Sequence, residues 1–235
     1  MAPRKSRRGQ KRRGGSRWGR IIALTVLGGL GGAAALLHEA PSTGRGVAKS
    51  EVLSQLERLP VRPRAPKSGY SREQFGQRWA DVDGNGCDTR NDVLNRDLSE
   101  RTWRPGTRDC VVVAGRLHDP YTGAELRFEK ANAAAIQIDH VVSLSNAWQT
   151  GAQALTPERR TALANDPLNL LAVDGPTNQV KGDADAAEWL TPSPDFRCDY
   201  VSRQVQVKTR YGLWTTAPEH EAMRRVLVAC ANPSP

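Results

Sequence analysis

Three short segments decide how this chain folds: residues 138–142 read IDHVV, residues 165–171 read NDPLNLL, and residues 178–183 read NQVKGD. The first two contain apolar runs that predict strands, and the third falls in a predicted helix. On that helix Asn178 and Lys181 are three positions apart and share one face. The order strand, strand, helix therefore predicts that polar groups of all three segments meet at one site.

The rest of the chain alternates predicted helices with predicted strands. The helix starts are the capping box Ser71-Arg72-Glu73-Gln74, with Phe75 and Trp79 on one face, then Thr89, Thr156, Gly175-Pro176 and Thr216. The strands are 110–114 and 124–128, which form a hairpin around the turn at 119–123, then 136–142 and 168–173. This mixture predicts a single α+β domain with a ββα core, flanking helices and a β-hairpin.

The N-terminal residues have the layout of an export signal or a membrane anchor. Residues 1–20 hold nine Lys or Arg and no acid, and an uncharged apolar run follows over residues 21–37. Its length lies between that of a signal and that of a minimal membrane span. We therefore expect residues 1–40 to direct secretion or to anchor the chain on the outer face of the cytoplasmic membrane.

A linker is predicted between this segment and the folded domain. Residues 41–67 contain four prolines, which is typical of a linker. Val52, Leu53, Leu56 and Leu59 fit one short helix within it. The folded domain is expected over residues 68–235.

The net charge of +9 comes from the N-terminal segment. Residues 1–20 carry nine positive charges, whereas residues 68–235 hold 19 Lys and Arg against 22 Asp and Glu, a balance of −3. The sequence pI of about 9.8 is therefore no argument for a nucleic-acid-binding face. Strong non-specific affinity for nucleic acid would need a local basic patch.

The four cysteines agree with export. Cys87, Cys110, Cys198 and Cys230 include no closely spaced pair of the kind that binds zinc. An even number of cysteines in an exported chain indicates disulfides, and three connectivities exist for four cysteines. We favour Cys87–Cys110 and Cys198–Cys230, because each pairing closes a short local loop.

The side chains of the predicted site suit phosphodiester hydrolysis. The reaction needs an activated water, neutralisation of phosphate charge and a stabilised leaving oxygen. His140 can act as the base near pH 7, Asp139 and the amide oxygen of Asn178 suit a hard divalent ion, and Lys181 suits a phosphate. Each motif alone has an ordinary structural interpretation. Their ordered combination favours a nuclease.

This combination resembles a known family. Asp139-His140, then Asn169 before a leucine, then Asn178-x-x-Lys181-Gly is similar to the HNH pattern of the ββα-metal (His-Me finger) endonucleases. It looks closest to exported actinobacterial proteins related to the C-terminal domain of GmrSD restriction endonucleases. The resemblance implies metal ligation by Asp139 and Asn178, a base at His140, and Asn169 as the residue that orients the His140 loop. An Asn at the third position fits one Mg²⁺ or Mn²⁺ better than Zn²⁺.

Two further motifs carry hypotheses of their own. Residues 81–92 match the spacing of a Ca²⁺ loop, with oxygen ligands at Asp81, Asp83, Asn85 and Asp92. The last position is Asp rather than the longer Glu, so a plain turn between two helices is the favoured interpretation. Arg90 is a candidate phosphate clamp at the active site, because a guanidinium presents a fork of donors.

Several functions stay open from the sequence. The favoured one is a monomeric secreted endonuclease that acts on DNA rather than RNA with little sequence specificity. A non-catalytic exported module that binds Ca²⁺ or a cell-wall polymer is the alternative from another class. An RNase or an interbacterial toxin on the same scaffold is a further one. His118 and His220 lack an acid–Asn context and are expected at the surface.

Overall fold

The computed structural model describes residues 49–231, and its regular elements combine helices with two small antiparallel sheets. The helices are α1 (Lys49–Arg58), α2 (Thr89–Asp97), α3 (Leu144–Gln149), α4 (Pro157–Asn165), α5 (Gly175–Lys181), α6 (Arg197–Tyr211) and α7 (Ala217–Ala231). The strands are β1 (Ser99–Trp103), β2 (Val112–His118), β3 (Glu125–Glu129), β4 (Ile136–His140) and β5 (Leu170–Asp174). The α+β class predicted from the sequence is confirmed.

The hairpin of β4 and β5 followed by α5 forms the centre of the fold. Ile138 pairs with Ala172 and His140 with Leu170 in an antiparallel register. β4 ends at His140, where the chain turns away from the sheet and the next residue still donates to the Asn169 carbonyl at 2.8 Å. The strand end resolves a difficulty of the sequence, because adjacent strand residues normally point to opposite faces. Asp139 and His140 can thus serve one site.

The predicted hairpin after α2 is present and belongs to a larger sheet. β2 and β3 pair in register from Ala114–Glu129 to His118–Glu125, as expected from the turn between them. A third strand, β1, joins on the other side of β2, and its pairing is irregular. The sequence pattern does not predict β1. Its mostly exposed, polar sequence SERTW carries little of the apolar alternation that marks a strand.

The helix predicted from the capping box is wrong. Only a four-residue 3-10 helix, Arg72–Phe75, forms there, and the Ser71 side chain makes no cap hydrogen bond. Gly76 follows with a φ of +76°, and a Cβ at this position would lie 2.2 Å from Oγ1 of Thr161 on α4. The chain must therefore leave the helical conformation to pass α4 closely. Phe75 is buried, whereas Trp79 is placed elsewhere, in a turn.

α1 lies in the stretch expected to be a linker. Its apolar face packs against α6 and α7, and Val52 and Leu56 are fully buried in the same cluster as Val205 and Leu227. His220 of α7, which is half-buried rather than at the surface, contacts the Leu56 carbonyl at 3.2 Å. The folded part of the chain thus includes residues 49–59. Helix α6, for which the sequence analysis made no prediction, provides much of the surface that α1 covers.

Both disulfides form as predicted. Cys87 joins Cys110, and Cys198 joins Cys230, which leaves no free cysteine among residues 49–231. The first links the loop before α2 to the chain that enters β2. The second ties the start of α6 to the end of α7. In the loop-entropy treatment each contributes about 3 kcal/mol to the free energy of unfolding.

The predicted signal or anchor at residues 21–37 lies outside the described residues. Among residues 49–231, no helix is long and apolar enough to cross a membrane.

Candidate active site

His140 lies at the end of β4 with its imidazole buried. Its Nε2 is 2.9 Å from the carbonyl oxygen of Ala164 on α4. A carbonyl oxygen only accepts, so Nε2 carries the hydrogen and Nδ1 retains its lone pair. Burial lowers the pKa of His140 from 6.5 to about 4, so the imidazole is neutral at pH 7. The arrangement leaves Nδ1 ready to accept a proton.

Asp139 is held by two buried side chains from opposite directions. The Tyr121 hydroxyl donates to Oδ2 at 2.5 Å, and the Lys181 ammonium donates to Oδ1 at 3.0 Å. Lys181 also donates to the His140 carbonyl oxygen at 2.9 Å. The carboxylate is thereby fixed in one orientation. Each of its oxygens can accept more than one partner, so acceptor capacity remains.

The structure places Lys181 beneath the site rather than on its surface. Its side chain is fully buried, and its donors serve Asp139 and the backbone of His140. The sequence predicts that Lys181 meets a phosphate. In the structure its ammonium instead contacts Asp139 and the His140 carbonyl oxygen.

Asn178 of α5 faces β4 across the site. Its Nδ2 donates to Oε1 of Gln137 at 2.9 Å. Gln137 and Asp139 are two positions apart on β4 and so lie on the same face of the strand. Sequence reasoning missed Gln137, although this alternation was the signal that could have found it. The amide contact fixes the side chain of Asn178, which lines the same groove as Asp139.

Asn169 is fully buried and joins the chain just after His140 to the end of α4. Its Oδ1 accepts from the Val142 amide at 2.8 Å. Its Nδ2 donates to the carbonyl oxygens of Val142 and Leu163 at 3.3 and 3.4 Å. These contacts fix the segment after His140, so Asn169 acts on the site through the backbone.

A groove of about 360 Å³ opens the candidate site to solvent. Its lining includes Arg90, Gln137, Asp139, His140, Asn178 and Asp183. Arg72 and Arg78 line it too, and both are exposed. Sequence reasoning missed these two arginines, because nothing in the segment around them distinguishes them from ordinary surface residues. Together with Arg90 they form a local basic patch, although residues 49–231 hold as many Asp and Glu as Lys and Arg.

Arg90 is brought to the groove, as the phosphate-clamp hypothesis requires. Its Nη2 lies 3.4 Å from the Ile136 carbonyl and 3.5 Å from the Ala133 carbonyl. These long contacts point the guanidinium along the start of β4. Burial lowers the pKa of Arg90 from its ordinary value, yet an arginine remains charged at pH 7. The group can therefore contribute positive charge to a bound phosphate.

The loop at residues 81–92 folds on its own hydrogen bonds. The Asp81 carboxylate accepts from the amides of Gly84, Asn85 and Gly86 at 2.8 to 3.2 Å. The Asn85 amide group donates to both Asp83 and Asp92 at 3.1 Å. None of the four candidate Ca²⁺ ligands lines the groove. Ca²⁺ binding by this loop stays a prediction.

The acidic side chains near the groove limit which residues could hold a metal ion. Within residues 49–231, no three His, Cys, Asp or Glu side chains are grouped so as to hold a metal ion. An ion at the groove would thus rest on Asp139 and the Asn178 amide, with water and substrate oxygens as its other ligands. Mg²⁺ commonly binds in this way, through one or two carboxylates and substrate phosphates.

The fold brings the candidate residues to one groove. A β-hairpin followed by a helix presents an imidazole, a carboxylate and an amide there, with arginines beside them, in an α+β domain. The chain matches the family described as GmrSD restriction endonucleases, C-terminal domain, over residues 88–226, and belongs to that family. The family resemblance inferred from the sequence is confirmed.

A curated relative of the chain is described as secreted. The chain is 38% identical over 183 residues to a protein of Arthroderma benhamiae named "Uncharacterized secreted protein", with 77% of this chain and 85% of the relative covered. No solved structure matches the chain at a significant level. Neither match bears on an actinobacterial source.

Proposed function

We propose that this protein is a secreted, metal-dependent endonuclease that hydrolyses the phosphodiester bonds of DNA with little sequence specificity. The observation that carries the proposal is the state of His140 at the groove. The Ala164 carbonyl holds the hydrogen on Nε2 and burial keeps the ring neutral, so Nδ1 is a free acceptor at neutral pH. Such a group can take the proton of a water that attacks a phosphorus atom.

The residues around His140 fit a single Mg²⁺ or Mn²⁺. Asp139 has a fixed carboxylate with acceptor capacity to spare, and Asn178 adds a neutral amide oxygen; a site built only of oxygen ligands favours these ions over Zn²⁺. When bound, such an ion neutralises phosphate charge and stabilises the leaving oxygen. Lys181 and Tyr121 keep the Asp139 carboxylate in place for it.

Substrate binding is assigned to the basic patch of the groove. Arg72, Arg78 and Arg90 line it together, and arginine presents paired donors to phosphate oxygens. Contacts to phosphate carry no sequence information, which supports a nuclease with little sequence preference. The family name and the relative named as secreted support the proposal of an exported endonuclease. Two disulfides fit the same compartment.

Nicking of a supercoiled plasmid tests the function directly. We expect the wild-type protein to nick it with Mg²⁺ or Mn²⁺ and not with EDTA. His140→Ala should lose roughly 10²–10⁴-fold in rate while it still binds Mn²⁺ in titration calorimetry. The matched control is His118→Ala, whose histidine is exposed and paired with Glu125 on the β2–β3 sheet; it should nick at the wild-type rate.

Two outcomes would overturn the proposal. A His140→Ala protein that nicks at the wild-type rate would remove the base. A wild-type protein that cleaves neither DNA nor RNA with any divalent ion would favour the non-catalytic binding module instead. Cleavage of RNA alone would keep the reaction and correct the substrate.

A further inference from the structure

A second cavity opens beside the groove and shares a wall with it. This side pocket, of about 270 Å³, is lined on its apolar side by Phe75, Trp79, Leu144 and Ala164. Arg72, Arg78, Trp79, His140 and Leu144 line both cavities. The imidazole assigned as the base therefore borders an apolar pocket on one side and the polar groove on the other.

Trp79 is held in an unusual conformation at this boundary. Its φ is +56°, the left-handed region that a bulky non-glycine residue rarely adopts. Its ring lies nearly parallel to that of His140, with 10° between the planes and 6.2 Å between the centroids. The Arg78 guanidinium lies 5.8 Å from the Trp79 centroid. Strained backbone concentrates at functional sites, and here it fixes an aromatic ring next to the base.

The chemistry of the two cavities is complementary to a nucleotide strand. The groove offers cationic and polar groups for a phosphate, and the pocket offers an aromatic and aliphatic surface for a planar apolar ring. Arg72 and Arg78 stand in the wall common to both. A phosphate in the groove would leave the adjoining nucleoside beside the pocket. Glu73 also lines the pocket, and its carboxylate can accept from a ring amino group.

We propose that the side pocket takes one unpaired nucleobase next to the scissile phosphate, with Trp79 as its stacking surface. The inference rests on the proposed nuclease function and deepens it. A base in a duplex can enter only after it unpairs and unstacks, so the protein prefers single-stranded over duplex nucleic acid. Trp79 acts as a specificity-determining residue. The residues before Thr89 that build this pocket lie outside the family match at residues 88–226.

Binding to labelled oligonucleotides tests the pocket without any cleavage. Fluorescence anisotropy in EDTA compares a twelve-residue oligothymidine with versions that carry one abasic position, scanned along the strand. Removing one stacked base weakens binding roughly tenfold. We expect one abasic position to do this for the wild-type protein. Trp79→Leu, which keeps apolar contact with the core, should bind the intact strand about tenfold more weakly and be insensitive to every abasic position.

Trp103→Leu is the matched control. Trp103 is also half-buried against the same core cluster, and an arginine also lies 5.8 Å from its ring centroid, yet it lies on β1 and lines neither cavity. It should bind like the wild type. Equal affinity of Trp79→Leu and wild type, or an abasic scan with no sensitive position, would overturn the proposal.

Cleavage assays separate this inference from the proposed function. With Mg²⁺, wild-type protein should cleave the single strand faster than the matching duplex, and Trp79→Leu should lose that preference while it still cleaves the duplex. If wild type cleaves both but Trp79→Leu shows the same preference, the pocket proposal fails and the nuclease stands. If the abasic scan succeeds but nothing is cleaved, the nuclease fails and the base pocket stands.

Discussion

Two buried lysine–carboxylate pairs lie in different surroundings within this domain. Lys181 contacts Asp139 at 3.0 Å beside the groove, and Lys208 contacts Glu219 at 2.9 Å between α6 and α7. Neither lysine side chain is exposed to solvent. The pairs are alike in chemistry and burial. They differ in what else the carboxylate faces.

The pair between the helices is enclosed by polar partners. The Lys208 ammonium also donates to the side chains of Asn146 and Thr150 and to the Trp214 carbonyl, at 2.9 to 3.4 Å. Glu219 in turn accepts from the Thr216 amide and so caps α7. A buried ion pair recovers its desolvation cost only when such extra hydrogen bonds are present. This pair connects α6 to α7.

In the pair at the groove, the carboxylate borders the open groove. Asp139 lines the groove, and its partners Tyr121 and Lys181 reach it from the protein interior. A buried lysine–carboxylate pair thus lies in an enclosed helix contact at one place and beside the candidate site at the other. Equal substitutions at both places should therefore both leave a lysine ammonium buried without its counter-charge, and only the substitution at the groove should also remove metal binding and activity.

The largest effect is expected from Asp139→Asn. The change removes the only carboxylate that we assign to the metal ion, and charge neutralisation at phosphate is worth several kcal/mol in such sites. Plasmid nicking should fall by roughly 10³-fold, and Mn²⁺ binding in calorimetry should be lost with it. A variant that binds Mn²⁺ as tightly as the wild type would contradict the assignment of this carboxylate.

Glu219→Gln is the matching change at the other pair, and it should lower stability without a loss of activity. It leaves the Lys208 ammonium buried without a counter-charge, which costs about 3 kcal/mol in the free energy of unfolding. Burial already raises the pKa of Glu219 above its ordinary value, so part of that cost is offset by the carboxylate's own desolvation. Urea unfolding measures the loss. Nicking well below the unfolding transition should match the wild type, and a loss of activity there would erase the contrast.

Acid should weaken the fold through His140 rather than through the pair between the helices. The pKa of His140 is about 4 in the folded state and 6.5 in the unfolded state. Between these values the unfolded chain binds more protons, so stability falls as the pH drops from 6.5 towards 4, by about 3 kcal/mol. Above pH 6.5 His140 is neutral in both the folded and the unfolded state, and this loss of stability is absent.

His140→Gln should flatten this dependence. Urea unfolding of both proteins at pH 7 and pH 4.5 compares the two slopes, and the wild type should lose more stability on acidification. Equal losses of stability in the two proteins would show that groups other than His140 set the pH dependence of stability. They would also show that burial does not lower the pKa of His140 as described.

The sequence predicted the local parts of the site and missed what depends on packing. β4 and β5 carry strong apolar patterns, α5 begins at the start signal Gly175-Pro176, and both disulfides close short loops, so these were predictable. The short helix at residues 52–59 was predictable, but its packing into the folded domain was not, because the surface of α6 and α7 that covers it is formed by distant residues. The capping box failed at Gly76 because its close approach to Thr161 is a tertiary contact.

The same limit applies to the roles of side chains in the site. Lys181 was assigned to a phosphate from its spacing to Asn178, and only the fold shows that its ammonium is buried against Asp139. Arg72, Arg78 and Trp79 reach the groove from a short 3-10 helix and the turn after it, both of which precede the family match. No periodicity marks such residues, since their position depends on how the turn packs.

The smallest predicted effect on activity concerns a single hydroxyl group. Tyr121 and Tyr200 are both fully buried, with their rings edge to face at 5.7 Å between centroids. The Tyr121 hydroxyl donates to Asp139, whereas within residues 49–231 the Tyr200 hydroxyl has no hydrogen-bond partner. Tyr121→Phe should lower nicking and Mn²⁺ affinity roughly tenfold, because a hydrogen bond to a charged group is worth about 1.5–3 kcal/mol.

Tyr200→Phe removes the same atom from the neighbouring ring and should leave nicking and Mn²⁺ affinity unchanged. It should keep or slightly raise the urea midpoint, since an unpaired buried hydroxyl costs free energy. The pair of variants thus holds ring burial constant and changes only whether Asp139 keeps its donor. If both variants bind Mn²⁺ like the wild type, Tyr121 packs in the core without positioning the carboxylate. If both lose affinity, the effect comes from the aromatic cluster as a whole and not from the hydroxyl of Tyr121.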